Sequence, residues 1–203
     1  MSVSVEYSTK EVSSIVLTNV LKMCKRRNLI DEVETILEKN KDDFANKGII
    51  EFKDKHNKKM SVNLYTGKIA SIVQGSPLDD YLKNNTDVHK IIVMKEPSKK
   101  TAKQISTEYP NAEFFFEHEM MEDIPSKMFI PEHYLLTPDE KKDFLEIFKE
   151  NELAKMNDTD MMSRYFAAQV GDVFKIVRPS LTAGKNIFYR KVVSGNINQL
   201  FDY

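Results

Sequence analysis

The stretch VFKIVRPSLTAGKNIFYRKVV, residues 173–193, contains two short apolar segments rich in β-branched and aromatic side chains. Segments of this kind, bounded by proline, glycine and asparagine, favour β-strands. We predict strands at Val173–Arg178 and Ile187–Val193. The residues between them, Pro179–Asn186, are predicted to form a loop that includes Thr182-Ala183-Gly184.

A helix is predicted from residue 138, well before the first of these strands. Thr137 supplies an N-cap hydroxyl, Pro138 takes the first helical position and Glu140 the third. Its apolar residues at helical spacing are Phe144, Ile147 and Phe148. This combination of cap, proline and apolar stripe is the strongest local signal in the chain.

A second helix is predicted to start near Asp160 and to end at Gly171. Its inward-facing side chains are expected to be Met162, Tyr165 and Phe166. Charge changes along the same part of the chain. Residues 137–160 hold 8 acidic against 4 basic side chains, whereas residues 161–203 hold 2 against 6. An acidic helical stretch is thus followed by a mildly basic end that is rich in strands.

The amino-terminal part begins with a capping-box pattern at Ser8 and Glu11, which predicts the start of a helix. Apolar residues follow at helical spacing at Val12, Ile15, Val16, Val20 and Met23. A second helix is predicted around Asp31–Phe44. Three short β-like segments come next, separated by turn residues that include Thr66-Gly67. They are Ile49–Phe52, Met60–Tyr65 and Lys68–Val73.

Residues 88–117 predict a pair of parallel strands. Val88–Met94 is an apolar run typical of a buried strand, Lys99–Tyr109 is helical in composition, and Glu113–Glu117 combines acids with phenylalanines. A strand, a helix and a strand in this order form a βαβ unit, whose two strands run parallel. The sequence therefore predicts an α+β or α/β protein.

The pattern breaks down between residues 120 and 131, where prolines and acidic residues are typical of a connector. We expect a domain boundary near residue 130. Residues 1–130 are then an N-terminal domain with a mixed sheet and flanking helices. Residues 131–203 are a small C-terminal α/β domain.

Composition excludes several classes of protein. The 203 residues carry 30 basic and 31 acidic side chains, which excludes a wholly basic nucleic-acid coat but not a local basic patch. The single cysteine, Cys24, excludes a disulfide framework and a thiolate zinc cluster, and it is typical of an intracellular protein. No run approaches the roughly 18 apolar residues of a membrane helix, and the N-terminus has no secretory-signal pattern. Metal-ligand spacings of histidine and phosphate-loop motifs are absent, so no metal or cofactor is predicted.

One fragment leaves an enzymatic alternative open. Glu51-Phe52-Lys53 has the spacing that some metal-dependent nucleases use, with the carboxylate on the metal and the lysine orienting water. Such a site needs another acid, for which Asp42 and Asp43 are candidates by proximity in sequence. Alternating charge on an exposed strand explains the fragment equally well.

The segment from Lys95 to Lys103 holds 4 lysines against 1 acid. Ser98 is a candidate N-cap, which would place Lys99, Lys100 and Lys103 at the start of a helix. Backbone N–H groups at a helix N-terminus attract anions, and lysines there strengthen that attraction. A phosphate backbone is one possible partner, and a solvated lysine face is the alternative.

The C-terminal residues also resemble a known family. The run 133–142, HYLLTPDEKK, is similar to the opening of the C-terminal domain of the fifth subunit of eukaryotic nuclear RNA polymerases, a family with archaeal members. Asp160, Tyr165 and Gly171-Asp172-Val173 keep the spacing of that family. The segment 173–184 and the closing Tyr189-Arg190 with Val192 match its signature. The family module covers residues 133–193.

The resemblance implies a non-catalytic subunit of a multisubunit DNA-dependent RNA polymerase, whose active site and magnesium ions lie in other subunits. It implies that the C-terminal domain docks on the largest subunit and that the chain does not act as a homo-oligomer or at a membrane. The interface residues that it suggests are His133, Lys175, Arg178, Ser180, Thr182, Gly184, Tyr189 and Arg190.

Eukaryotic members carry an N-terminal jaw domain with a Pro-Ser turn that opens a helix near downstream DNA. Pro97-Ser98 stands at the corresponding place. The resemblance therefore implies that Pro97, Ser98, Lys99, Lys100 and Lys103 contact the phosphates of downstream duplex DNA. The alternatives are a pure scaffold, or a stand-alone DNA-binding or nuclease-like domain resting on Glu51 and Lys53.

The chain departs from the family pattern at several positions. The family's Leu-Pro-Arg-Ile is here Leu153-Ala154-Lys155-Met156, the proline after Asp160 is Met161, and a glycine after the helix tyrosine is Ala167. Residues 194–203 extend past the usual end. Such divergence fits a copy encoded by a large nucleocytoplasmic DNA virus. The expected location is then the viral factory in the host cytoplasm and the virion, or the nucleus for a cellular protein.

Overall fold

The computed structural model describes residues 7–84, 86–180 and 184–201. The chain divides into two compact units, one ending at Asp123 and the other starting at Ile124. Each unit holds a four-stranded mixed sheet, so the predicted mixture of helices and strands in an α+β architecture is confirmed.

The N-terminal unit has a sheet in the order β1-β2-β3-β4. Its elements are α1 (Thr9–Arg26), α2 (Val33–Lys47), β1 (Ile49–Lys53), β2 (Lys59–Ile69), α3 (Pro77–Lys83), β3 (His89–Pro97), α4 (Lys99–Glu108), β4 (Ala112–Phe116) and α5 (Glu117–Met120). Strand β1 runs antiparallel to β2, whereas β3 runs parallel to both β2 and β4. The predicted βαβ unit is therefore confirmed as β3, α4 and β4.

Local signals set the first helix as predicted. The Ser8 hydroxyl accepts a hydrogen bond from the Glu11 N–H, and the Glu11 carboxylate accepts one from the Ser8 N–H (2.8 Å). One face of α1 then packs into the core through Val16, Leu17, Val20 and Leu21, all 0% exposed.

One prediction in this unit is wrong, and one helix was missed. Lys68–Val73 is not a separate strand, because β2 continues through Thr66-Gly67 to Ile69, and a register shift between Tyr65 and Lys68 absorbs those two residues. Helix α3 was not anticipated, although its start carries a cap signal. The Ser76 hydroxyl accepts from Asp79 N–H, and Pro77 takes the first turn.

The C-terminal unit has a sheet in the order β5-β7-β8-β6. Its elements are β5 (Glu132–Leu135), α6 (Pro138–Ile147), β6 (Ala154–Asn157), α7 (Met161–Tyr165), β7 (Val173–Ser180) and β8 (Gly184–Val193), with 3-10 turns at Ile124–Ser126, Glu150–Glu152 and Ile197–Phe201. Strand β7 runs antiparallel to both β5 and β8, whereas β6 runs parallel to β8. The predicted start of α6 is confirmed, with Thr137 as N-cap and Pro138 in the first turn, and Thr137 and Glu140 form a capping box there.

The predicted eight-residue loop at Pro179–Asn186 is wrong. Strands β7 and β8 stay paired through Pro179 with Lys185 and Ser180 with Gly184, so they form a long hairpin. Thr182 and its two neighbours, residues 181 and 183, lie outside the described residues. The helix expected to reach Gly171 ends at Tyr165, because Ala167 adopts a left-handed backbone conformation with φ +52°. A glycine at this position would fit that conformation without strain.

The core of this unit lies on one face of the sheet. It is built from Met156, Met162, Ala168, Phe174, Ile176 and Val192. Over the described ranges, every helix of the protein is too short or too polar to cross a lipid bilayer.

Candidate functional site

The first candidate surface, the amino end of α4, is anchored to the end of β2. Ser98 N–H donates to Ile69 O (2.9 Å), and the Ser98 hydroxyl donates to Ala70 O (2.6 Å) while it accepts from Thr101 N–H (3.1 Å). Pro97 is buried and pairs with Ile69. Pro97 and Ser98 therefore fix the position of the helix start, and the serine hydroxyl is engaged within the protein.

The lysines of this surface are exposed. Lys99, Lys100 and Lys103 all project from α4, and the first turn of the helix contains no acidic residue. Acids normally occupy first turns because the helix dipole places partial positive charge there. The amino end of α4 thus adds lysine charge to the dipole, an arrangement that suits an anion such as phosphate.

The second candidate surface is the C-terminal sheet, and the structure distributes its predicted residues over both faces. Residues opposite each other in antiparallel strands share a face. Phe174, which lies in the core, pairs with Arg190, and Ile176 pairs with His133. Four predicted residues therefore lie on the core-facing side with His133. They are Arg178, Ser180, Gly184 and Arg190. Lys175 and Tyr189 pair with each other on the opposite face.

His133 sits partly inside the core. Its Nδ1 lies 2.7 Å from Pro131 O, and its ring packs edge-on against Phe174 with the ring centroids 5.9 Å apart. Burial lowers the pKa of His133. Because a carbonyl oxygen only accepts hydrogen bonds, Nδ1 is the donor in the contact with Pro131 O. These contacts give His133 a role in shaping the sheet.

The hairpin end carries the exposed arginine. The guanidinium of Arg178 lies over the Phe188 ring, 4.3 Å from its centroid, and both side chains are exposed. Gly184 has φ +71°, and open space surrounds the position where a Cβ would stand. Its glycine is therefore required by the backbone turn and not by close packing.

The sequence predicted only part of the aromatic surface of the C-terminal sheet, whose face opposite the core carries Tyr189. Phe144 stacks on Tyr189 (centroids 4.2 Å apart) and on Phe148 (4.6 Å), which attaches α6 to that face. The apolar stripe predicted for α6 is not buried as a whole, because Ile147 is 78% exposed and Phe148 is 50% exposed. Ile187 and Phe188, 52% and 40% exposed, were missed as surface residues. Successive side chains in a strand point to opposite faces, so two adjacent apolar residues cannot both face the same core. The adjacency of Ile187 and Phe188 was therefore the signal that could have predicted an exposed apolar side chain here.

The nuclease alternative gains no support. Glu51 and Lys53 lie on β1 at the edge of the N-terminal sheet, and Asp43 forms a salt bridge with Lys47 (2.8 Å). Within the described ranges, no group of three or more His, Cys, Asp or Glu side chains could hold a metal ion. Cys24 is fully buried, and burial raises its pKa to about 12, so this thiol is not a nucleophile.

The geometry defines a small two-unit α+β protein with a basic helix start in one unit and an exposed basic, aromatic hairpin in the other. Residues 122–192 match the family model described as RNA polymerase Rpb5, C-terminal domain. Archaeal subunit Rpo5 of Methanothrix thermoacetophila is 42% identical over 66 residues, which cover 32% of this chain and 85% of that protein. The chain therefore belongs to the family of the fifth RNA polymerase subunit.

Two further relatives extend the comparison. DNA-directed RNA polymerase subunit 5 of Acanthamoeba polyphaga mimivirus is 33% identical over 135 residues, 66% of this chain and 65% of that protein. The Caenorhabditis elegans subunit RPABC1 of RNA polymerases I, II and III is 41% identical over 83 residues, 40% of this chain and 39% of that protein. The matched region thus spans about two fifths of the nematode relative and just under two thirds of the viral one.

Proposed function

We propose that this chain is a non-catalytic subunit of a multisubunit DNA-dependent RNA polymerase. The observation that carries this proposal is the match of residues 122–192 to the family's C-terminal domain. The match to a mimivirus polymerase subunit extends over 135 residues and is therefore longer than the C-terminal unit. This match supports a viral copy of the subunit. A viral copy would act in the host cytoplasm and in the virion.

The C-terminal unit would dock on the largest polymerase subunit. Exposed Arg178 suits this role, because a guanidinium offers several donors in one plane and arginine is enriched at interfaces. Exposed Phe188 beside it adds apolar area. The remaining predicted interface residues, including His133 and Arg190, would shape the sheet that presents this surface.

Co-purification tests the docking proposal. A tagged copy of the chain, expressed in the native source, should recover the largest polymerase subunit in stoichiometric amount. A tagged N-terminal segment that ends at residue 123 serves as the comparison and should recover much less. Failure of the intact chain to recover large polymerase subunits would refute the proposed function.

The N-terminal unit would help to hold downstream duplex DNA through phosphate contacts without reading bases. The support is the amino end of α4, where Lys99, Lys100 and Lys103 are exposed beside a positive helix end. The logarithm of DNA affinity falls linearly with the logarithm of the salt concentration. If these lysines neutralise two or three phosphates, the slope with them present should be steeper by about 2–3 than the slope without them.

The salt dependence of elongation complexes tests this contact. The triple change of Lys99, Lys100 and Lys103 to Glu should leave assembly intact and weaken retention of downstream DNA. A matched control reverses three exposed lysines on other helices, namely Lys10, Lys39 and Lys41. An equal salt slope for the test and control polymerases would remove the DNA role.

A further inference from the structure

Strand β8 is longer than the strand that covers its outer side. It runs from Gly184 to Val193 and pairs with β7 down to Gly184. On its other side, β6 pairs only with residues 190–193. Over residues 184–189, no other described strand pairs with that outer edge.

The direction of the backbone groups follows from bonds near the end of β8. Val192 N–H donates to Asp172 O (2.7 Å), so its backbone faces the β7 side. Val193 O accepts from Asp158 N–H (2.9 Å), which lies on the β6 side. Backbone groups alternate in direction along a strand, and the β7–β8 register shows no shift. Lys185 and Ile187 therefore direct their N–H and C=O groups outward, away from β7.

The side chains along this edge are apolar and basic. Ile187 is 52% exposed on one face and Phe188 is 40% exposed on the other. Residues 173–193 contain five basic residues and no acidic one. Of these, Arg178 and Lys185 lie at the end of the hairpin that β6 leaves uncovered. An added strand would cover both apolar side chains, and carboxylates on it would match the positive charge.

We infer that the outer edge of β8, residues 184–189, receives an extended, acidic segment of the largest polymerase subunit as an additional strand. An added strand forms hydrogen bonds with the outward backbone groups, and these main-chain bonds supply the affinity. The flanking side chains select the partner. This inference rests on the proposed function and specifies how docking occurs. An uncovered edge is also a template for unwanted pairing, which gives a reason for the lysine at position 185 in the free chain.

A proline substitution separates main-chain pairing from side-chain contact. Ile187→Pro removes an N–H that points away from β7, so the hairpin ladder is kept, as for prolines on edge strands. Ile187→Thr is the matched control, because it keeps the N–H and the β-branched shape. With co-expressed largest subunit, the proline variant should lose about ten-fold or more in recovery, and the threonine variant only about three-fold or less. Equal recovery of the proline variant and the wild type would overturn the inference.

Amide hydrogen exchange gives a second readout that needs no variant. The amides of Lys185 and Ile187 should exchange rapidly in the isolated chain and slowly in the assembled polymerase. Rapid exchange in both states would overturn the inference even if the proline variant failed to fold. If the wild-type chain recovers the largest subunit but these amides stay unprotected, only the edge inference fails. If it recovers no polymerase subunit, the proposed function fails as well.

Charge and self-association complete the test. Lys185→Glu should reduce recovery of the largest subunit more than Lys185→Gln, because the inferred segment is acidic. An equal effect of the two changes would overturn the acidic partner.

Light scattering should find the isolated chain monomeric at micromolar concentration. A dimer that Ile187→Pro dissociates would instead assign this edge to a second copy of the chain.

Discussion

The two units bury their apolar side chains very differently. Among the described residues, 26 buried hydrophobic residues lie in the N-terminal unit and eight in the C-terminal unit. Of the ten large hydrophobic residues that are exposed in the same ranges, eight lie in the C-terminal unit. Burial of one such side chain contributes about 1.5–3 kcal/mol. The N-terminal unit thus resembles a self-sufficient domain, and the C-terminal unit resembles one part of a larger assembly.

The ion pairs differ in the same sense. In the N-terminal unit, the two terminal nitrogens of Arg27, Nη1 and Nη2, donate to the Glu113 carboxylate (2.8 and 2.7 Å), and the Arg27 side chain is only 5% exposed. His89 contacts the same carboxylate. In the C-terminal unit, Lys191 and Glu150 form a pair whose glutamate is 44% exposed. Buried pairs lose more free energy when one partner is removed than exposed pairs do.

The largest expected effect comes from truncating the small C-terminal core. Phe174 belongs to this core and is 0% exposed, so Phe174→Ala should lower the free energy of unfolding by about 3–5 kcal/mol. With few other buried side chains in the unit, residues 124–201 should lose amide protection in hydrogen exchange. Phe115→Ala in the N-terminal unit is the matched change. If each variant keeps native amide protection in the unit that carries its change, the difference in core size between the units does not determine their stability.

Breaking the Arg27–Glu113 pair should have the next largest effect. Glu113→Ala should destabilise the N-terminal unit by about 3 kcal/mol, measured by urea unfolding at pH 7. Asp43→Ala removes the exposed pair with Lys47 and should change stability by less than about 0.5 kcal/mol. Similar values for the two variants would show that the Glu113 carboxylate is effectively solvated.

Acid should act on the same pair. Burial alone would raise the pKa of Glu113, but the Arg27 charge and the hydrogen bonds from His89 and Arg27 lower it to about 2 from 4.5. Because the folded-state pKa is depressed, the carboxylate stabilises the fold fully above about pH 4.5 and loses that contribution as the pH falls toward 2. Unfolding of Glu113→Gln should depend less on pH in this window than unfolding of the wild type.

Arg178→Ala should separate stability from assembly. The side chain is exposed and contacts the Phe188 ring, so the free energy of unfolding should fall by less than about 1 kcal/mol. Recovery of the largest polymerase subunit should fall several-fold. Lys55→Ala, at an exposed position of the N-terminal unit, should alter neither quantity. Unchanged recovery for Arg178→Ala would remove this arginine from the docking surface.

The smallest effect is expected at the amino end of α4. Lys100→Glu should raise the free energy of unfolding of the isolated chain by about 0.3–1 kcal/mol, because an acid suits the first turn of a helix. Thermal unfolding at low salt measures this, and the gain should shrink at high salt. Lys103→Glu lies a turn further along, so its stabilisation should be smaller. A loss of stability at position 100 would mean that the lysine has a structural role.

Signals that act within one helical turn could be predicted from the sequence. The helix starts predicted at Ser8 and Thr137 are confirmed, because the capping hydrogen bonds at each join residues three apart. The parallel pairing of β3 and β4 could be predicted as well, since the helix between them leaves few other arrangements. The resemblance of residues 133–193 led to the family, which the relatives confirm.

Features that depend on distant residues were missed. The short strands β5 and β6 have four residues each and exist through pairing with β7 and β8. The extent of the β7–β8 hairpin was underestimated, because Pro179 and Asn186 read as loop residues when considered alone. The roles of the predicted site residues remain predictions, and the structure adds where each described one lies.

The sequence alone determined the starts of α1 and α6, the βαβ unit and the family, because each depends on neighbouring residues or on a linear pattern. Only the tertiary structure decided which side chains share a face, how Glu113 is held by Arg27 and His89, and that no other described strand pairs with the outer edge of β8 at Ile187. Those features depend on the pairing and packing of residues far apart in the chain, which a linear pattern does not record.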